Sequence, residues 1–213
     1  MKKIITFCCL CMAFSCLAND TQSDNKNVTV VIKTTLGDFQ VQLNAEKAPI
    51  TVANFLSYVD EDGYADTIFH RVIEGFMIQG GGMRVNMRAV TEHKGIYNEA
   101  DNGLRNVTGT IAMARLNEID TAQRQFFINV NNNAFLDHSE ASCTREDEQK
   151  QKAATARGLY RPQSCKTFGY VVFGHVVKGM ENVRRIEFEP TVNRNGHQNV
   201  PVIPVTIIKI ERL

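Results

Sequence analysis

The chain has 213 residues, 43% of them hydrophobic and 22% charged, which is long enough for one domain with a sizeable core and is a globular composition, not that of a disordered chain. Its net charge is +1, so no global basic field argues for a nucleic-acid partner. Six cysteines and no tryptophan complete the frame, and four of the six fall before residue 17.

The N-terminus reads as a targeting segment. Lys2-Lys3 precedes an apolar run from Ile4 to Ala18, and polar Asn19-Asp20 follows. A basic start, a short apolar core and a small-residue exit describe a secretory signal over 1–18, too short for a comfortable spanning helix. Cys16-Leu17-Ala18 before Asn19 suits ordinary cleavage. Ala13-Phe14-Ser15-Cys16 also suits a loose lipobox with Cys16 lipidated, although the usual leucine three places earlier is absent. Removal of 1–18 takes away Lys2 and Lys3 and leaves 22 basic residues against 23 acidic ones, a net charge of −1. It also leaves Cys143 and Cys165, an even pair in an exported chain, which suggests one disulfide, with two free thiols as the alternative.

Residues 19–27 are polar and aperiodic, a flexible lead-in. Val28–Thr34 and Phe39–Leu43 are strand runs around Leu36-Gly37-Asp38, a hairpin signal. Pro49 opens a helix in which Val52, Phe55, Leu56 and Val59 share one face. Asp62-Gly63-Tyr64 closes it. The stretch Ile68 to Gly82 then reads as two short strands joined at Glu74-Gly75 and ended by three glycines. Arg71 and Gln79 sit inside these apolar runs, near Phe76 and Met77. An arginine there is either a solvated outward residue or a fork of donors at the lip of an apolar pocket. Gly80-Gly81-Gly82 lacks the lysine and the strand–loop–helix setting of a phosphate cradle.

Met83 to Lys94 reads as a charged loop. Asn98 to Asn106 clusters acids around a turn glycine without the spacing of a calcium or zinc site. Gly109–Arg115 and Gln125–Asn129 are further strands; one of Phe126 and Phe127 faces the core and the other a groove. Ala134–Asp137 is a loop, Gly169–Val177 a strand, Gly179–Phe188 a short helix and Ile203–Ile210 a closing strand with Pro201 and Pro204 at its edge. Many short strands with two short helices suit a closed barrel, and the pattern by itself also allows an α+β sandwich.

Phe69-His70-Arg71-Val72-Ile73, Gly75-Phe76-Met77 and Ile78-Gln79-Gly80-Gly81 resemble the signature of the cyclophilin-type peptidyl-prolyl isomerases. Asn54-Phe55, the 98–106 run, and the segments at 109–115, 125–129, 134–137 and 169–174 follow in that family's order. The resemblance covers Val28 to Leu213 apart from an insertion, 139–167. It implies a mainly β fold, a closed antiparallel barrel of about eight strands capped by two short helices. It implies rotation of X–Pro bonds without cofactor or metal, in folding of exported proteins. Arg71 matches the catalytic arginine and Gln79 a polar residue fixing the substrate backbone. Phe76, Met77, Phe127 and Leu136 match the proline pocket. Ala114 and Arg115 lie on the strand that pairs with the substrate, and Gln125 is a supporting neighbour. Phe135 stands where many eukaryotic relatives have tryptophan, and Tyr170 where many have histidine, as in bacterial relatives. Isomerase activity should survive these changes, and tight cyclosporin binding is not expected. Glu74 replaces the usual turn proline.

The resemblance to bacterial exported members places the protein in the periplasm, or lipid-anchored in the envelope through Cys16. Proline-containing polypeptides are the expected partners and a monomer the expected state. A proline-binding chaperone or surface interaction module with incidental turnover is the alternative. His93, His138, His175 and His197 form no metal spacing, and no nucleophile elbow is present. Within the insertion, Thr144-Arg145-Glu146-Asp147 is close to a capping box, and Glu146/Lys150 and Glu148/Lys152 are paired four apart. With Gly158 as a stop, these predict a polar helix over about Thr144–Arg157, bracketed by a Cys143–Cys165 bridge at the rim of the groove. Whether the insertion tunes client entry or is a tolerated surface excursion stays open at this level.

Overall fold

The computed structural model describes residues 27–139, 141–158 and 165–213. The signal over 1–18, Cys16 and the lead-in up to residue 26 lie outside the described residues.

Eight strands close into an antiparallel barrel. In chain order these are β1 (Asn27–Thr34), β2 (Phe39–Asn44), β3 (Thr67–Ile73), β4 (Met77–Arg84), β5 (Thr110–Met113), β6 (Phe126–Asn129), β7 (Val172–Lys178) and, after a small hairpin, β10 (Thr206–Arg212). Around the barrel the order is β1-β10-β3-β4-β6-β5-β7-β2, and β2 pairs with both β1 and β7, so the sheet has no free edge. Alternation sets the two faces: Phe39, Val41 and Leu43 of β2 are buried, while Gln40 and Gln42 between them are half-buried.

Helix α1 (Pro49–Asp60) lays Val52, Phe55, Leu56 and Val59 on the core, as its spacing predicts. Phe55 packs its ring against Tyr64, Phe126 and Phe173 at centroid distances of 5.1, 5.7 and 5.3 Å. Ala48 offers α1 no side-chain cap. Glu99 supplies one from a distance: its carboxylate accepts from the backbone N–H of Ile50 and Thr51 and from the Thr51 hydroxyl, at 3.1, 2.8 and 2.7 Å. Part of the acidic run at 98–106 thus serves as a helix cap. Helix α3 (Met180–Glu187) buries Val183 and Ile186, and its buried Glu187 accepts from Gly75 N–H at 2.9 Å, tying α3 to the β3–β4 turn.

The insertion carries α2 (Arg145–Ala156), which buries no residue. Thr144 and Asp147 form a reciprocal capping box at its start, and Gly158 ends it at φ +70°. Cys143 and Cys165 are bonded, with Cα atoms 5.3 Å apart.

Two features differ from the sequence pattern. Ala134–Leu136 forms a turn of 3-10 helix. Thr191–Arg194 and His197–Pro201 form a separate hairpin, β8–β9, before a closing strand that starts at Thr206 and not at Ile203. β8 is mostly exposed, and β9 is polar until Val200 and Pro201, which are buried next to each other, so neither shows the alternation that marks a half-buried strand.

Candidate active site

Strands β3 and β4 present Arg71, Met77 and Gln79, and Phe76 comes from the turn between them. β6 presents Phe127, and the 3-10 turn presents Phe135 and Leu136. Together with Ala114, Arg115, Thr167 and Tyr170 these line one cleft of about 440 Å³. Its apolar floor is a small cluster of Met77, Ala112, Phe127, Leu136 and Val172, separate from the main core. Phe126 belongs to the main core and Phe127 to the cleft, as alternation along β6 requires. Tyr170 meets Phe127 edge-on at 5.9 Å. Phe135 is 74% exposed and leans on Phe76 at 5.5 Å, forming the lip.

The polar side of the cleft is a relay of side chains. Arg71 Nη1 donates to Gln79 Oε1 at 3.4 Å, Gln79 Nε2 to Gln125 Oε1 at 3.0 Å, and Gln125 Nε2 to Glu92 Oε1 at 3.4 Å. Gln125 lies just outside the cleft and lines the adjoining one. The last of the three glycines makes room for it: a Cβ on Gly82 would collide with the Gln125 side chain. Next to Gln125, buried Arg124 donates to the carbonyls of Gly81, Thr91 and Gly63, so the end of β4 is held from beneath. His70, beside Arg71, is buried; burial pushes its ring down to about 4, and its Nδ1 has no hydrogen-bond partner.

A buried polar network supports the lip. Asn129 Nδ2 donates to Asn106 Oδ1 (3.1 Å) and Thr110 Oγ1 (2.9 Å), and Asn133 Nδ2 donates to Asn129 Oδ1 (2.7 Å) and to the Phe76 carbonyl (2.9 Å). Asn106 Nδ2 donates to Asp137 (3.1 Å) and to the Tyr170 carbonyl (3.2 Å). Phe76 and Tyr170 through their carbonyls, and the 134–137 turn through the Asp137 carboxylate, are therefore fixed to one another.

Ten of the eleven lining residues carry a role under the sequence reading, and Thr167 is an addition from the insertion. Arg115 is on the wall, but its guanidinium bonds within the protein: Nε to the Gly169 carbonyl (2.9 Å), Nη2 to the Cys165 carbonyl (3.0 Å), and its plane over the Tyr170 ring (4.8 Å). Arg124, Glu92 and the asparagine network were not legible as site supports. Among the described residues, no group of three or more His, Cys, Asp or Glu side chains is placed to hold a metal.

The family model described as "Cyclophilin type peptidyl-prolyl cis-trans isomerase/CLD" matches residues 29–212. The chain belongs to that family. This cyclophilin is 44% identical over 178 residues to peptidyl-prolyl cis-trans isomerase A of Dickeya dadantii, covering 84% of this chain and 80% of that protein. It is 42% identical over 178 residues to peptidyl-prolyl cis-trans isomerase B of Escherichia coli K12, covering 84% and 95%. Among solved structures, a Cryptosporidium parvum cyclophilin-type isomerase in the presence of the dipeptide Ala-Pro superposes with a TM-score of 0.58 at 25% identity, over 85% of this chain and 96% of that one. The protein is a peptidyl-prolyl isomerase, built on the barrel its family shares. Among the described residues, no helix of this cyclophilin is long and apolar enough to cross a membrane.

Proposed function

We propose that Arg71 is the catalytic residue of this isomerase and that the enzyme works outside the cytoplasm on the folding of exported proteins. Rotating an X–Pro bond breaks no covalent bond; the barrier is amide resonance, about 18–20 kcal/mol. An acceleration on the order of 10⁵ needs about 7 kcal/mol, within reach of desolvation and one or two positioned donors. Phe76, Met77, Phe127 and Leu136 grip the prolyl ring and exclude water. Arg71 donates toward the prolyl nitrogen as it becomes pyramidal, and so favours the twisted amide over the planar one. Gln79 holds the guanidinium through its carbonyl and orients the substrate backbone, with Gln125 fixing Gln79 in turn. Ala114 and the backbone at Arg115 pair with the extended client, while Phe135 and Tyr170 close the mouth.

The observation that carries the site assignment is that Arg71, held by Gln79, shares one cleft with that apolar floor. The Ala-Pro dipeptide named for the Cryptosporidium structure fits the substrate class. Export rests on the composition of residues 1–18 and on the residual Cys143–Cys165 pair, which suits an oxidising compartment. Cleavage after Ala18 gives the soluble periplasmic form; lipidation at Cys16 gives the envelope-anchored form, and the intact mass of the mature protein separates them. A monomer remains the expected state. The site assignment is tested by kcat/KM for a short X–Pro peptide: Arg71→Ala should lose about 10²–10³-fold, the worth of a transition-state donor. A folded Arg71→Ala enzyme of wild-type activity removes Arg71 from the mechanism.

A further inference from the structure

The insertion raises a physical question. Helix α2 buries no residue, so apolar packing does not hold it in place. Its position depends on a few directional contacts, and these gather at its first turn. The Arg145 guanidinium makes two hydrogen bonds to the Asp120 carboxylate (3.1 and 2.9 Å) and one to the Asn98 carbonyl (2.9 Å). It is sandwiched between the Tyr97 ring at 3.6 Å and the Phe168 ring at 4.7 Å. One turn on, Glu148 accepts from Ile119 N–H at 2.8 Å. The helix is thus clasped to the outer side of segment 116–121. The inner side of that segment, through Leu116 and Thr121, lines the cleft adjoining the proline pocket, a cleft that shares Gln79, Ala114 and Arg115 with it.

A second set of contacts joins the insertion's exit to the pocket wall. Arg115 donates to the carbonyls of Cys165 and Gly169, and Asn98 Nδ2 also donates to Gly169 at 3.1 Å. Cys143 N–H donates to Thr167 Oγ1 at 3.2 Å, across the disulfide. Thr167 itself lines the proline cleft and a further cavity beyond Phe135. The contacts close a ring: Arg145 to Asn98, Asn98 to Gly169, Gly169 to Arg115, Arg115 to Cys165, and Cys165 through the disulfide to Cys143, two residues from Arg145. By contrast, the pocket proper is held by the barrel. Met77, Gln79 and Phe127 are strand residues, and Tyr170 N–H donates to the Leu136 carbonyl at 2.9 Å.

We propose that the insertion, through its described residues 141–158 and 165–167, is a client-specificity element: anchored by Arg145 and stapled by Cys143–Cys165, it positions the part of the groove wall that an extended polypeptide touches beyond the prolyl ring. Arg145 and the two cysteines are positioning residues, acting through Thr167, Arg115 and segment 116–121. This rests on the assignment of the cleft as the isomerase site. It separates two demands on the groove. Rotation depends on the barrel-held pocket, and selection among long clients depends on the insertion-held rim.

The experiment measures kcat and KM for wild type, Arg145→Ala and the double variant Cys143→Ser/Cys165→Ser. Two substrates are used, an X–Pro tetrapeptide and a longer peptide with X–Pro at its centre. Both variants are checked for folding by thermal unfolding, and either one decides if folded. The tetrapeptide constants should stay within about twofold, while KM for the long peptide rises about five- to tenfold with kcat held, the worth of one or two lost rim hydrogen bonds. An unchanged long-peptide KM in a folded variant overturns the proposal and makes the insertion a passive excursion. Equal losses on both substrates also overturn it, since the insertion would then support the whole fold. Wild-type enzyme inactive on both peptides would overturn the isomerase site itself, a result separate from either.

Discussion

Asn129 offers a sharp test of how the pocket's lip is held. The side chain is fully buried on β6 and makes three hydrogen bonds. In Asn129→Ala, buried Asn106 Oδ1 loses the donor facing it. Asn133 Nδ2 keeps only the Phe76 carbonyl, and Thr110 Oγ1 keeps its own bond to Val107. One stranded buried acceptor costs about 1–3 kcal/mol, and the small void adds about 1 kcal/mol. The expected loss is about 3 kcal/mol, a fall in Tm of about 6–12 °C for a domain of this size. The same change releases Asn133 from β6 and loosens the 134–137 turn that follows it, so KM for a short X–Pro peptide should rise severalfold. The control is Asn131→Ala, an exposed side chain that donates to the Gly75 carbonyl at 3.0 Å, with a loss of no more than about 0.5 kcal/mol. Thermal and urea unfolding of the two variants decide it. Equal, small losses would refute the view that the asparagine network is a structural brace.

Other expectations follow from single residues. His70 titrates at about 4 in the folded protein because it is buried, against about 6.5 unfolded. Between those values the unfolded chain holds a proton that the folded chain lacks, so stability rises with pH across that window. On acidification from pH 7 to pH 4 this histidine should remove about 3 kcal/mol, and His70→Gln should flatten that slope; equal slopes in unfolding measured across pH would contradict it. Phe135 is 74% exposed, so Phe135→Ala should leave Tm nearly unchanged while KM for a short X–Pro peptide rises about three- to tenfold through loss of the lip against Phe76. An unchanged KM would place Phe135 outside the substrate's path.

Much of the strand pattern was legible because the strands obey simple periodicity, while closure into a barrel was implied by the family resemblance and not by the pattern, which also allowed an α+β sandwich. Phe39, Val41 and Leu43 alternate, and Phe126 and Phe127 divide between core and cleft. The β3–β4 pair was legible from Glu74-Gly75, where Gly75 takes φ +68°. Helix α2 could be read from local chemistry alone, since its cap and its pairs Glu146/Lys150 and Glu148/Lys152 lie within one or two turns. What could not be read depends on contacts far apart in sequence. Glu99 caps a helix 48 residues away, and Arg124 gathers carbonyls up to 61 residues distant. The role of Arg145 was hidden for the same reason: on a polar helix it looks like a solvated charge, and only the fold brings Asp120, Tyr97 and Phe168 around it. The β8–β9 hairpin escaped because neither of its faces carries an apolar stripe.

The claim at the centre is that the apolar pocket binds the prolyl ring while Arg71 lowers the barrier to its rotation. Exchange spectroscopy on a labelled Ala-Pro peptide measures both at once, giving the affinity from titration and the cis–trans rate on the enzyme. For Arg71→Ala, affinity within about threefold of wild type and an on-enzyme rate lower by about 10²-fold or more is the predicted result. A rate that survives in the variant, or a rate and affinity that fall together, would contradict it.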